Sequence, residues 1–143
     1  TPANYKFKFN NAVTIIEGDD LAIFATGDSV LHSIESAKVL ASVGISVAVI
    51  NVSTLKPIDK KTIVSYAKKS KGIVSVEDAT VIGGLGSSIC DVIAEFGLGK
   101  KVKKIGIQDC FGESGDPNDL YKKHKLDVDG ICETVKSFYS NLT

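Results

Sequence analysis

Apolar residues fall into two alternating patterns along the chain, short continuous runs and longer segments with helical spacing. The continuous runs have strand length and cover 13–18, 21–27, 45–55, 72–78 and 102–109. The segments with helical spacing cover 28–44, 60–70, 85–96, 116–124 and 130–139. Strands that alternate with helices indicate an α/β fold whose mostly parallel sheet is covered on both faces.

Inward-facing stripes and end signals can be assigned to these helices. In the first, the stripe is predicted to comprise Val30, Leu31, Ile34, Ala37, Leu40 and Ala41. In the third, it comprises Leu85, Ile89, Val92, Ile93 and Phe96. Asp28 or Ser29 is expected to cap the first helix, and Gly44 to end it. Asp59 is expected to cap the second helix, and Pro117 to begin the fourth.

The first two strands need a special arrangement. Only Asp19 and Asp20 separate the run 13–18 from the run 21–27. A parallel connection needs a crossover of a dozen or more residues, which this turn cannot provide. One of the two strands is therefore predicted to run antiparallel, at or near an edge of the sheet.

The composition is that of a soluble globular domain and narrows the possible partners. The chain has 143 residues, of which 43% are hydrophobic and 24% are charged, and its net charge is zero. A zero net charge provides no overall field that would attract nucleic acid or an anionic membrane. No apolar run approaches the length of a membrane span. All 17 basic residues are lysine, so the bidentate arginine clamp for phosphate is missing.

The cysteines indicate the redox compartment of the protein, and the start of the chain indicates where the domain begins. Cys90, Cys110 and Cys132 are widely spaced and form no CxxC pair, which favours mostly buried, reduced thiols in the cytoplasm. The polar opening TPANYKFKFNNA and the lack of methionine suggest a piece of a longer chain. Residues 1–12 are accordingly predicted to be a linker from a preceding domain, and 13–143 the α/β domain.

A glycine-rich stretch, VIGGLGSSICDVI at 81–93, is the first candidate for a ligand site. Gly84 and Gly86 match the start of a dinucleotide fingerprint, but the third glycine is replaced by Ile89 and no acidic residue follows at the expected distance. A P-loop would need GK[ST], which is absent. A structural turn from strand to helix is the favoured interpretation, and nucleotide binding at 83–88 the alternative.

Two adjacent acids, Glu77 and Asp78, end the strand that precedes this turn. Neighbouring strand residues point to opposite faces, so the two carboxylates make a poor acid–base pair. A capping or interface contact is favoured for Glu77. A functional carboxylate at the carboxyl end of a parallel strand is the alternative.

The remaining polar features do not combine into a site. His32 and His124 are expected to pack on or beside helices, and neither has a partner set for catalysis or metal binding. The lysine cluster at 100–104 is expected to be a solvated turn. The segment 109–115 with Phe111 is either a tight structural turn or a contact surface for another domain. No catalytic, cofactor-binding or metal-binding residue is assigned.

Four segments in order, 17–30, 34–59, 74–95 and 105–131, together resemble the C-terminal domain of transketolase-like thiamine diphosphate enzymes. FGESG and the acidic helix after it are more similar to transketolase than to 1-deoxy-D-xylulose-5-phosphate synthase, which is the nearest alternative, and the pyruvate dehydrogenase beta subunit is a more distant alternative. Glu77-Asp78-Ala79 stands where similar family members often have Glu-Glu-His. An interdomain role of that histidine therefore does not carry over to this chain.

The resemblance implies a three-layer α/β/α fold with a five-stranded, mostly parallel mixed sheet and one antiparallel strand. It implies a dimeric parent transferase of the pentose phosphate pathway that moves a two-carbon ketol unit between sugar phosphates. The cofactors would be thiamine diphosphate and Mg²⁺ (or Ca²⁺), held between two preceding domains. This domain would be inactive alone, bind no cofactor, pack on the pyrimidine-binding domain and support contact with the second subunit.

Three alternatives remain from the sequence. The chain could be the C-terminal domain of 1-deoxy-D-xylulose-5-phosphate synthase. It could be a free-standing nucleotide- or flavin-binding module that uses the turn at 83–88. It could also be an interaction module without an enzymatic parent.

Overall fold

The computed structural model describes residues 6–110 and 114–142 and shows a five-stranded mixed sheet between two layers of helices. The strands are β1 (Val13–Ile16), β2 (Leu21–Ala25), β3 (Val47–Asn51), β4 (Gly72–Thr80) and β5 (Val102–Ile107). The helices are α1 (Ser29–Ser42), α2 (Lys60–Lys69), α3 (Leu85–Glu95), α4 (Pro117–Lys123) and α5 (Val128–Ser140). This is the predicted three-layer α/β/α fold class. No helix within the described ranges is long and apolar enough to cross a bilayer.

The strand order is β1-β3-β2-β4-β5, and the antiparallel strand lies at an edge. β1 pairs antiparallel with β3, while β2 pairs parallel with both β3 and β4. β5 pairs parallel with β4 and forms the other edge. The short connection between β1 and β2 was predicted to place one antiparallel strand at or near an edge. This is confirmed, because β1 is the edge strand and runs antiparallel to β3.

The two faces of β2 bury different sets of side chains, as the alternation of a strand requires. Leu21, Ile23 and Ala25 belong to the core under α1 and α5. Ala22 and Phe24 belong to the core under α2 and α3. All five residues of β2 are fully buried, which is typical of a central parallel strand.

Leu31, Ala41 and Phe96 contradict the predicted inward stripes, because Leu31 and Phe96 are 60% and 50% exposed and Ala41 is exposed as well. Small polar residues occupy the buried side of α1 instead. The Ser33 hydroxyl donates to the Ser29 carbonyl at 2.7 Å, and the Ser36 hydroxyl donates to the His32 carbonyl at 2.8 Å. These bonds inside the helix satisfy the two hydroxyls, so both serines can be buried, and Ser36 contacts the Val128 carbonyl of α5. A prediction that counts only apolar residues assigns them to the surface.

Several boundary predictions are confirmed and others are wrong. Asp59 caps α2 by accepting from the Thr62 N–H at 3.1 Å, and Gly44 adopts a positive φ of 83° just after α1. Asp28 occupies the N-cap position of α1 but makes no capping hydrogen bond.

Of the three free cysteines, Cys132 is buried, whereas Cys110 is exposed, against expectation.

Asp20 joins four elements at the amino end of the sheet. Its carboxylate accepts from Lys71 Nζ at 2.8 Å, from the Ser46 N–H at 2.9 Å and from the Tyr139 hydroxyl at 3.0 Å. These partners lie next to the starts of β4 and β3 and near the end of α5. The hydrogen bond from Lys71 and then that from Ser46 lower the pKa of Asp20, against a smaller opposing effect of burial.

We expect Asp20→Asn to lower the free energy of unfolding at pH 7 by about 1–2 kcal/mol, because the charge-assisted bonds are lost. The pKa of Asp20 is lower in the folded chain. Its stabilising effect is therefore complete above the unfolded pKa of about 3.9 and disappears as the pH falls through the folded value. Urea unfolding between pH 7 and pH 2 should show a shallower acid loss in the variant.

The neighbouring variant Asp19→Asn is the control, because the Asp19 side chain is 83% exposed and pairs with Lys69 only at 3.4 Å. It should change stability by no more than about 0.5 kcal/mol. Equal effects of the two substitutions would contradict the role assigned to Asp20.

Candidate functional site at the carboxyl end of the sheet

The parallel strands place their carboxyl ends at one edge of the sheet, where α1 and α3 begin. α1 leaves β2 toward one face, while α3 leaves β4 toward the other. Since β2 and β4 are neighbours, the crevice between them is the place where α/β sheets usually bind ligands. Gly27 and Asp78 face each other there, and a Cβ on Gly27 would lie 3.3 Å from an Asp78 carboxylate oxygen.

Glu77 caps α3 from within the core. Its side chain is 1% exposed, and its two oxygens accept from the Leu85 N–H at 2.8 Å and the Gly86 N–H at 3.0 Å. A Cβ on Gly84 would overlap this carboxylate. The glycines of the turn therefore make room for a buried acid, and the predicted capping contact of Glu77 is confirmed.

This arrangement occupies the position that a phosphate would take. The amino end of a helix binds anions through its unpaired N–H groups and its dipole. Here a carboxylate of the chain already accepts from the N–H groups of Leu85 and Gly86. The interpretation of residues 83–88 as a structural turn into the helix agrees with this geometry.

A second polar cluster lies on the opposite side of β4, where Asp78 is exposed. Burial raises the pKa of Tyr121, and the Asp28 and Asp78 carboxylates raise it further. The His32 ring packs edge-to-face on Tyr121 with centroids 5.0 Å apart. Nδ1 of His32 is buried and has no hydrogen-bond partner among the described residues.

A cavity of 240 Å³ adjoins this cluster and is mainly apolar. It is lined by Asp78, Ile107, Pro117, Leu120, Tyr121, His124 and Leu126. In the described part of the chain, no three His, Cys, Asp or Glu residues are placed to hold a metal ion. From the sequence, His32, His124 and Asp78 were treated separately and Tyr121 was missed. In the structure the Tyr121 ring contacts His32, and Tyr121 lines the same cavity as Asp78 and His124.

Exposed apolar side chains follow three adjacent strands at this edge. Leu31 lies after β2 and Ile82 after β4, each 60% exposed, and Leu55 lies after β3 and is 37% exposed. We call these three residues the carboxyl-edge apolar surface. Sequence reasoning missed it because helical spacing assigned Leu31 to the core and Ile82 was read only as part of a turn.

Two further predictions concern β5 and the segment after it. Lys103 and Lys104 lie within the strand Val102–Ile107 and not in a solvated turn, so the interpretation of 100–104 is wrong for these two lysines. Phe111, the centre of the predicted contact segment 109–115, lies outside the described residues.

Comparisons with known proteins agree on one family. The family model described as the C-terminal domain of transketolase matches residues 10–131. A putative transketolase C-terminal section from Methanocaldococcus jannaschii is 40% identical over 130 residues, which cover 90% of this chain and 40% of that protein. A 6-deoxy-6-sulfo-D-fructose transketolase subunit from Clostridium sp. is 37% identical over 132 residues, 92% of this chain and 41% of that protein.

Other relatives have different names and are longer. A 1-deoxy-D-xylulose-5-phosphate synthase from Caldanaerobacter subterraneus is 33% identical over 136 residues, covering 95% of this chain and 22% of the synthase. The chain thus spans about two-fifths of the transketolase section or subunit and about one-fifth of the synthase.

Solved structures give the same fold. A split gene transketolase, described as an inactive beta4 tetramer, has a TM-score of 0.91 and 32% identity, and the match covers 98% of this chain and 46% of that one. A transketolase from Campylobacter jejuni has a TM-score of 0.68 at 20% identity, covering 96% of this chain and 20% of that one, which supports the fold alone.

The crowding around Glu77 predicts that Gly84→Ala lowers the free energy of unfolding by at least about 2 kcal/mol, because the new methyl group overlaps the carboxylate. Gly115→Ala is the matched control. Its Cβ would lie 3.6 Å from Leu120, so a change within about 0.5 kcal/mol is expected. Urea unfolding of both variants measures the difference.

The same substitution in a Glu77→Ala background separates crowding from other effects of Gly84→Ala. Glu77→Ala alone should cost about 1–3 kcal/mol, because the N–H groups of Leu85 and Gly86 lose their acceptor. Gly84→Ala should then cost clearly less than it does in the unmodified chain, as residues in contact are not additive. Additive costs would show that the carboxylate and the turn do not constrain each other.

Proposed function

The chain belongs to the family of transketolase C-terminal domains, and from this premise we propose that it is the C-terminal section of a transketolase. The parent enzyme is proposed to transfer a two-carbon ketol unit between sugar phosphates in the cytoplasm, as in the pentose phosphate pathway. This section contributes to assembly and carries no catalytic residue. The chain covers about two-fifths of the length of two relatives. One of these is named as a transketolase section and the other as a transketolase subunit, which supports a parent enzyme built from separate parts.

One observation supports an assembly role above all others, the carboxyl-edge apolar surface. Leu31 and Ile82 expose 60% of their surface on segments that follow adjacent strands. Exposed apolar side chains grouped at one edge are typical of a surface that another protein covers. We propose that the preceding pyrimidine-binding domain covers this edge and that the contact also supports a dimer of the parent enzyme.

Thiamine diphosphate and its divalent metal, Mg²⁺ or Ca²⁺, do not fit the described residues. The N–H donors that begin α3 are paired with Glu77, and no metal-ligand group was found within the described ranges. We therefore assign the cofactor, the metal and the sugar phosphates to other domains of the parent enzyme.

The chain alone should show no change in melting temperature with thiamine diphosphate and Mg²⁺, or with ATP, NAD or FMN. Co-expression with the thiamine-binding section encoded in the same genome should yield a complex with ketol-transfer activity. Calorimetry and a coupled sugar-phosphate assay measure the two results. Thiamine diphosphate binding by the chain alone would contradict the proposal, and nucleotide binding would favour the free-standing module.

A second candidate parent is 1-deoxy-D-xylulose-5-phosphate synthase, favoured by 33% identity over 136 residues to one such enzyme. The reconstituted complex distinguishes the two by its product. Formation of 1-deoxy-D-xylulose 5-phosphate without ketol transfer between sugar phosphates would assign the chain to the synthase.

The double variant Leu31→Asp, Ile82→Asp should weaken co-purification with the thiamine-binding section at least about tenfold, because two charges would have to be buried at the contact. Pull-down yield and activity at increasing concentrations of the chain give the affinity. Val43→Asp is the matched control, since Val43 is also on the α1 segment and 55% exposed but lies at the opposite end of the helix. Equal losses in both variants would exclude the carboxyl edge as the contact.

A further inference from the structure

β5 presents an open strand edge. Within the described part of the chain it pairs with β4 alone and is the last strand in the sheet order. The carbonyls of Lys101 and Ile107 accept from Ile73 and Val81, so the odd-numbered peptide groups face β4. Along a strand the peptide groups alternate in direction, which turns those of Val102, Lys104 and Gly106 away from the sheet.

The outward peptide groups are largely unpaired. Among residues 6–110 and 114–142, the one bond to them runs from Gln108 Nε2 to the Gly106 carbonyl at 3.1 Å. The N–H and C=O groups of Lys104 are therefore available at the centre of the edge. Such an edge pairs readily with another extended chain.

Lysines flank this edge on both faces of the sheet. Lys103 lies on the α5 side, exposed and without a hydrogen bond or ion pair to any described residue. Lys104 lies on the α3 side, where its ammonium group donates to the Ser87 hydroxyl at 3.0 Å. Lys125 pairs with Glu133 at 3.0 Å. Glu133 is the one acid among the described residues that line the two cavities beside this strand, so the charge along the edge is predominantly positive.

A groove runs beside the strand. A cavity of 500 Å³ is lined by residues of β5, the end of α4 and α5: Lys103, Lys104, Ile105, Gly106, Gln108, Cys110, Lys123, His124, Lys125 and Thr134. A second cavity of 270 Å³ shares Lys103, Lys125 and Thr134 with it and continues to Asn141 at the end of α5. Because the two cavities share these three residues, they adjoin each other along the strand, and this succession suits an extended segment better than a compact ligand.

We propose that this groove binds an extended, acidic polypeptide segment of another protein, which adds to β5 as a sixth strand. Main-chain hydrogen bonds to Val102 and Lys104 would provide affinity, and the lysines would select for acidic side chains. A second copy of this chain is disfavoured, because its β5 carries the same lysines and like charges would meet. The inference does not depend on the proposed enzymatic parent, and the β5 edge is separate from the carboxyl-edge apolar surface.

The test uses a fluorescent eight-residue peptide of alternating glutamate and valine with the 143-residue chain, followed by anisotropy at low and physiological salt. Lys103→Glu should weaken binding at least about tenfold through charge reversal, and Lys38→Glu, on the exposed side of α1, should not. Lys104→Pro removes a charge and the outward N–H, whereas Lys104→Ala removes the charge alone. The proline variant should bind about fivefold more weakly than the alanine variant.

A second measurement does not depend on any substitution. Saturation with the peptide should slow hydrogen exchange of the Val102 and Lys104 amides, as expected for new strand pairing. Unchanged exchange, or equal affinities of the proline and alanine variants, would overturn the proposal. Equally tight binding of tripolyphosphate with no effect of the proline would identify a simple anion patch instead.

Discussion

The buried carboxylate of Glu77 is the constraint around which the carboxyl half of the sheet is arranged. A charged group that is 1% exposed must be fully hydrogen-bonded, or its burial would destabilise the fold. The first N–H groups of α3 provide those bonds, and the helix dipole favours the negative charge at this end. Side chains are therefore excluded around it: a Cβ on Gly84 would overlap the carboxylate, and a Cβ on Gly106 would lie 3.1 Å from Glu77 Cγ.

This constraint also explains why glycine-rich sequence is poor evidence for a nucleotide site. Backbone glycines before a helix are needed wherever an anion approaches the first turn, whether the anion is a ligand phosphate or a side chain of the protein. In this chain the acid precedes the turn by only a few residues, near the end of β4. The informative signal is thus the pair of Glu77 and Gly84 together, since the carboxylate supplies the negative charge that a phosphate would otherwise bring.

The sequence predicted the α/β architecture and the antiparallel edge strand, because turn length and strand pattern are local properties with few solutions. It also predicted the caps made by Asp59 and Glu77. It failed for Leu31, Ala41 and Phe96, whose exposure depends on which residues face the neighbouring helix. Ser36 illustrates the reason: its hydroxyl donates to carbonyls of both α1 and α5, so a polar residue takes the buried position. The cluster of His32 and Tyr121 was missed, because the two rings are far apart in sequence.

The edges of the sheet differ in chemistry, and the difference follows from where charge is neutralised. At the amino end, Asp20 compensates Lys71 while tying three strands to α5. At the β5 edge, Lys103 has no such partner among the described residues, so its charge remains available to a ligand. The carboxyl edge instead exposes aliphatic groups. The net charge of the whole chain is zero, but the charge differs from one surface to another, since the β5 edge is rich in lysine and the carboxyl edge is aliphatic. One candidate contact lies at the carboxyl ends of β2, β3 and β4, whereas the other runs along β5, so the two surfaces offer different chemistry, aliphatic side chains in one and lysines beside an open strand in the other.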